Sequence, residues 1–261
     1  EACKEILSIN SDDAETINMM GTIYEKKGFY DQAKTKFLRA LELDKNLVQA
    51  KINIATLYQL EGNEDKADQI YNDLAKEQKG NPEVLFRRST LAFKQENFQE
   101  GWRYFENRWK VFPLNKTIWP IQNKTLWKGE KGGRVVLWKE QGIGDQIILL
   151  SLVPEVQEMC GSVSVYVDPR LHSLCKRTMP ETNFISDENA LKRENFDYHL
   201  PLGSVPGLVR NNIRDFDRTV TGYFKANPAR VDSIRKELQL DGKTVIGISW
   251  KSFNSLNQTR K

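Results

Sequence analysis

The chain has 261 residues, 39% hydrophobic and 28% charged, with a formal net charge of +4 at neutral pH. No apolar run approaches the roughly 18 residues that cross a bilayer, and the length accommodates two domains of about 100 to 200 residues each. Cys3, Cys160 and Cys175 are an odd, scattered set without a C-x-x-C pair. That pattern argues against a disulfide framework or a zinc site and suits small buried thiols in a reducing, cytoplasmic setting. The charge is uneven: residues 1–112 hold 17 basic and 19 acidic side chains, residues 113–261 hold 22 and 16. A basic surplus in the second part suits a small anion such as a nucleotide, while the absence of an aromatic-basic motif argues against nucleic acid.

In chain order, Glu1 to about Asn10 reads as the second helix of a pair whose first helix is missing, and both chain ends read as cuts in a longer protein. Three copies at a spacing of 34 residues come next, beginning near Ala14, Val48 and Pro82. Gly21, Ala55 and Ser89 share one column; Tyr24, Tyr58 and Ala92 a second; Ala33, Ala67 and Gly101 a third; Phe37, Tyr71 and Phe105 a fourth. Small residues let two helices approach, and aromatics fill the space around the crossing. This period and pattern is the tetratricopeptide signature, a helical hairpin stacked into an α-solenoid. Gly28 and Gly62 suit the left-handed turn that ends a helix, and Gln95-Glu96-Asn97 is the matching turn of the third copy. The third copy is unusually aromatic, with Trp102, Tyr104, Phe105 and Trp109. Exposing that face to water is costly, so it is expected to dock on the next domain.

Residues 113–133 carry Pro113, Pro120, Gly129, Gly132 and Gly133 together with Trp119 and Trp127, and read as a packed connector. Beyond it the period changes. Strands are expected at Arg134–Lys139, Ser162–Val167, Asn183–Ser186, Phe196–Leu200 and Thr244–Ser249, and helices at Gln146–Cys160, Pro169–Met179 and Ala229–Leu240. Such alternation predicts a parallel sheet with helices on its faces. The expected division is therefore 1–112 repeats, 113–133 connector and 134–261 α/β domain.

The sharpest local feature is Glu140-Gln141-Gly142-Ile143-Gly144-Asp145-Gln146, between the first strand and the first long helix. In a doubly wound domain this turn lies where ligands bind, and bare backbone at Gly142 and Gly144 admits a close approach. Asp145 would stand at the cleft mouth or cap the helix. Asp168, 24 residues after Gly144, invites a dinucleotide reading, but Ile147 occupies the third glycine position of G-x-G-x-x-G and weighs against it. His172 has no evident partner, and no His, Cys and carboxylate set has metal spacing.

Leu126-Trp127-Lys128-Gly129-Glu130, the turn at 140–145, Phe196-Asp197-Tyr198-His199-Leu200-Pro201-Leu202 with Val205-Pro206, and Gly247-Ile248-Ser249-Trp250 occur in that order behind the repeats. This series resembles bacterial tetratricopeptide proteins fused to a glycosyltransferase, whose catalytic part looks like the heptosyltransferases and, more distantly, the O-linked N-acetylglucosamine transferases. The resemblance implies a GT-B architecture, two Rossmann-like domains across a cleft, of which this chain supplies the acceptor-side first half. It implies a nucleotide-sugar donor, no cofactor or metal, and a protein or glycan acceptor selected by the repeat groove. Asp145 matches the candidate general base, His199 would assist it, bind acceptor or serve as a satisfied structural histidine, and Gln141, Gly142 and Gly144 would line the acceptor side. Trp250, Lys251 and Ser252 fall where the family contacts the donor phosphates, although Ser252-Phe253-Asn254 departs from its glycine-containing loop. With half of the donor site absent, the chain by itself is expected to be inactive. The alternative is a non-catalytic protein-binding scaffold with a degenerate α/β domain.

Overall fold

Helices begin at the same phase of each copy. The computed structural model describes residues 10–111, 124–140, 142–218, 222–240 and 242–246. The first helices of the three pairs are α1 (Ala14–Lys26), α3 (Val48–Leu60) and α5 (Pro82–Lys94); the second are α2 (Tyr30–Leu43), α4 (Glu64–Glu77) and α6 (Phe98–Phe105). Local chemistry sets these starts. The Asp13 carboxylate accepts from the Thr16 N–H at 2.7 Å, Asn81 accepts from Glu83 and Val84 ahead of Pro82, and Asn97 accepts from Glu100.

The columns pack as a helical-repeat solenoid. Ala33, Phe37, Ala55, Ala67 and Tyr71 are fully buried, and Ser89 nearly so. A methyl group built on Gly21 would stand 2.4 Å from the Phe37 ring, and one on Gly101 would stand 2.4 Å from the Phe93 ring, so these crossings need the smallest residue. Gly28 and Gly62 close their turns at φ 81° and 76°; in the third copy Glu96 holds the same conformation, φ 59°, without being glycine. Among the described residues, no helix is long and apolar enough to cross a membrane.

After α7 (Arg108–Val111) and the short strand β1 (Thr125–Leu126) come β2 (Arg134–Trp138), α8 (Ile143–Leu149), a 3-10 turn (Leu150–Leu152), α9 (Val153–Met159), β3 (Ser162–Tyr166), α10 (Pro169–Thr178) and β4 (Asn183–Ile185). Next are α11 (Glu188–Arg193), β5 (Tyr198–Pro201), a 3-10 turn (Leu202–Ser204), α12 (Pro206–Val209), a 3-10 segment (Ile213–Arg218) and α13 (Pro228–Glu237). Among the described residues, five strands form one parallel sheet in the order β1-β5-β2-β3-β4. Alternation sends Val135 and Leu137 of β2 into a core with Leu150, Val153, Val156 and Leu171, and sends Val136 to the other face with Ile185, Leu191 and Phe196.

Four details depart from the sequence expectation. The stretch read as connector contains β1, which pairs with β5. The helix expected at 146–160 starts earlier, at Ile143, and breaks near Pro154, which lacks an N–H and opens a new helix instead. The strand expected at 196–200 runs Tyr198–Pro201. Of the strand expected at 244–249, residues 244–246 are not in a strand and Val245 and Ile246 are exposed, while 247–249 lie outside the described residues.

Replacing Glu96 by glycine removes a left-handed side-chain penalty and returns part of that gain as unfolded-chain entropy. Glu96→Gly is expected to raise stability by about 0.5 to 1 kcal/mol, read as a shift in the urea midpoint of unfolding without a change in slope.

Candidate functional site

In the sheet order, β2 lies between β5 and β3, so the chain leaves β2 toward one edge and returns through β5 on the other side. Such a reversal opens a crevice beyond the carboxyl ends of the two central strands. Here that place receives α6 and α7. Arg108, buried to 2% exposure, donates from Nε and Nη2 to the two carboxylate oxygens of Glu140 at 2.8 and 2.9 Å. Its Nη2 also reaches Ser204 Oγ at 2.7 Å, and its Nη1 reaches Glu106 Oε1 at 2.8 Å. Ser204 in turn donates to Glu106 at 2.7 Å. The guanidinium lies over Phe105 and Trp109, 4.5 and 4.4 Å from their ring centres. Burial pushes the Glu140 carboxyl above its ordinary range, and the Arg108 bonds oppose that push.

Aromatic contacts extend the junction. Trp109 packs on Trp138 with ring centres 5.5 Å apart, Phe98 on Phe216 at 4.8 Å, and the Trp102 indole N–H donates to the Arg210 carbonyl at 2.6 Å. The aromatic face of the third copy is thus partly covered by later parts of the chain, with Trp102, Phe105 and Trp109 half-buried.

Asp145 is exposed at the third position of α8, with Gly142 as the N-cap residue. One carboxylate oxygen accepts from the Gly142 N–H at 3.1 Å, which fixes the side chain against its own helix start. Gln146, the next residue, is buried and accepts from the Asp168 N–H at 2.9 Å, tying α8 to the end of β3. A methyl group on Gly144 would meet nothing within 4 Å, so packing does not demand glycine there. Asp145 lines a crevice of about 240 Å³ with Phe93, Trp102 and Phe105 of the third repeat and Ile148 and Leu149 of α8. A larger cavity, about 440 Å³, shares Trp102 but is lined by Leu126, Trp127, Lys128 and Asn211 and does not include Asp145.

For His199 the geometry favours the structural alternative. The residue is 1% exposed. The Trp138 indole N–H, which can only donate, gives its proton to Nδ1 at 3.1 Å, so Nε2 carries the ring hydrogen and faces the Lys124 carbonyl at 3.2 Å. Burial pushes the imidazole below its ordinary value. With both nitrogens held inside the sheet, this ring clamps β1 to β2 and β5 and does not line the Asp145 crevice. His172 binds the Phe184 carbonyl at 3.0 Å. Asp168 caps α10 and pairs with Arg170, which holds its carboxyl down at about 2. Gln141, Trp250, Lys251 and Ser252 lie outside the described residues.

Residues 14–47 match the tetratricopeptide repeat family. Over its whole length the chain is 26% identical to the protein FlbA of Caulobacter vibrioides, and it spans about half, 47%, of that relative. Among solved structures, a mutant O-GlcNAc transferase from Thermobaculum terrenum aligns with 71% of this chain and 36% of its own, at 18% identity and a TM-score of 0.38. The MamA protein aligns with 40% of this chain and 57% of its own, at 18% identity and a TM-score of 0.34.

The sequence reading missed Arg108, Glu140, Ser204 and the aromatic wall as parts of one site. The available signal was an arginine between Phe105 and Trp109, and an acid directly after the apolar strand β2.

Removing one partner of a buried pair leaves the other charge uncompensated. Arg108→Met is expected to cost about 3 to 5 kcal/mol, and Arg108→Met with Glu140→Leu to recover most of it; urea unfolding followed by tryptophan emission reads both. For His199, the depressed folded value means that below about pH 6.5 the unfolded chain binds a proton that the folded chain refuses. Stability should therefore fall as pH drops below about 6.5, and nitrogen NMR should show His199 keeping the neutral Nε2–H form to lower pH than a histidine of the unfolded chain.

Proposed function

We propose that this chain is the repeat-bearing, acceptor-side part of a glycosyltransferase that moves a sugar from a nucleotide-sugar donor to a hydroxyl. The tetratricopeptide repeat itself supports a protein-interaction role for the solenoid. The observation that carries the catalytic reading is Asp145: an exposed carboxylate, oriented by its own helix start, at the mouth of a crevice on the carboxyl side of a parallel sheet. The sheet belongs, in this reading, to a Rossmann-like domain forming the first half of a GT-B fold, with residues 1–112, 113–133 and 134–261 as repeats, connector and domain.

In the reaction, Asp145 takes the proton from the acceptor hydroxyl as that oxygen attacks the anomeric carbon. The new carbon–oxygen bond forms while the bond to the diphosphate breaks, and the nucleoside diphosphate leaves with the bonding pair. Gly144 suits this role because its open side admits an acceptor against bare backbone. Lys251, with Trp250 and Ser252, is assigned to the donor phosphates through the family resemblance alone. His199 is left out of the chemistry and serves as the strand clamp. The free thiols Cys160 and Cys175 fit a reducing, cytoplasmic site of action.

The second reading, a scaffold that binds protein without transferring sugar, is favoured by the repeats and by the small, apolar character of the crevice. Asp145→Asn in the full-length gene product separates the two. Transfer is expected to fall by about 10²- to 10⁴-fold with circular dichroism and melting temperature unchanged. Undiminished transfer by this variant would remove Asp145 from the mechanism, and no transfer by the unaltered protein would favour the scaffold.

A further inference from the structure

We propose that the crevice beside Asp145 anchors one apolar side chain of a polypeptide, next to the serine or threonine whose hydroxyl is delivered to that carboxylate. The delivery rests on the transfer reading above; the anchoring does not. Among the described residues that line the crevice, Asp145 is the one charged group, and it is an acid. A phosphate or carboxylate would meet like charge there, so the space suits neither the donor diphosphate nor an acidic ligand. The remaining lining is three aromatic and two aliphatic side chains, with Gly203. A pyranose ring would carry several hydroxyls into this space and find one acceptor side chain for them, leaving the rest without partners.

Size points the same way. At about 240 Å³ the crevice falls below the 300 to 1,000 Å³ usual for pockets that take a whole small molecule. It suits a single large side chain. Phe93, Trp102 and Phe105 form a cluster of two tilted pairs and one edge-to-face pair with ring centres 4.3 to 6.3 Å apart, and Trp102 is held by its bond to the Arg210 carbonyl. Opposite them Ile148 is 70% exposed, an apolar surface that gains from being covered. Three of the five apolar walls belong to the last repeat, so an occupant touches the solenoid and α8 at once, and helical repeats are surfaces that take polypeptides.

The experiment uses two otherwise identical threonine peptides, one with leucine and one with serine beside the threonine, titrated by calorimetry into the protein. Burial of one leucine predicts at least about tenfold tighter binding of the leucine peptide. Ile148→Asp, at an exposed position where folding is preserved and checked by circular dichroism, should abolish that preference, and Asp145→Asn should keep it. Equal binding of the two peptides, no binding of either, a preference that survives Ile148→Asp, or displacement of the leucine peptide by simple methyl glycosides would each overturn the anchor. If the preference behaves as expected while the full-length protein transfers no sugar, the anchor stands and the transferase reading falls. If sugar is transferred without any leucine preference, the reverse holds.

Discussion

A guanidinium with less than a twentieth of its surface in water holds the solenoid to the sheet. Arg108 satisfies both oxygens of Glu140, the hydroxyl of Ser204 and an oxygen of Glu106, and it is roofed by Phe105 and Trp109. Glu140 comes just after β2 and Ser204 just after β5, so this single cation joins the two strand ends between which the chain direction reverses. A buried pair of this kind adds little net stability compared with apolar residues, but its directional bonds admit one arrangement of the parts. That arrangement is what brings the aromatic wall of one copy against the start of α8.

Order at the crevice is a consequence of this junction. Asp145 is positioned by Gly142, and Gln146 anchors the helix behind it to the end of β3. The opposite wall, Phe93, Trp102 and Phe105, is positioned by the repeat's own packing, since Gly101 lets Phe93 approach closely and Trp102 reaches across to Arg210. Arg210 is in turn held by Glu155 of α9 at 2.6 and 2.5 Å. The repeat surface and the sheet surface therefore meet through the charge-assisted bonds of Arg108 and Glu106 and through the Trp102 bond to the Arg210 carbonyl.

The phase of the repeats was legible because both helices of each pair obey one period, and the caps Asp13, Asn81 and Asn97 reinforce it locally. The strands β2, β3 and β4 were legible for a similar reason: apolar, largely β-branched runs bounded by glycine, proline or polar residues. What escaped was non-periodic. β1 is two residues long and exists through pairing with a strand some seventy residues later, a partnership no local pattern records. Arg108 carried no local signal because its partner lies 32 residues away, beyond any helical spacing. Glu96 shows the opposite limit, a backbone conformation enforced by the repeat against the preference of its own side chain. For His199 the place near a strand end left a cleft role and a structural role both open, and the bond from Trp138 on the neighbouring strand favours the second.

Charge placement adds a last constraint on any mechanism. The basic surplus of residues 113–261 made an anionic ligand reasonable, yet the crevice at the sheet's reversal point carries an acid, and the buried cation of the same junction, Arg108, is fully occupied by carboxylates and a hydroxyl. An incoming phosphate would have to break those bonds before gaining its own. An anionic ligand would therefore meet like charge at Asp145, while the aromatic and aliphatic walls beside it favour an uncharged one.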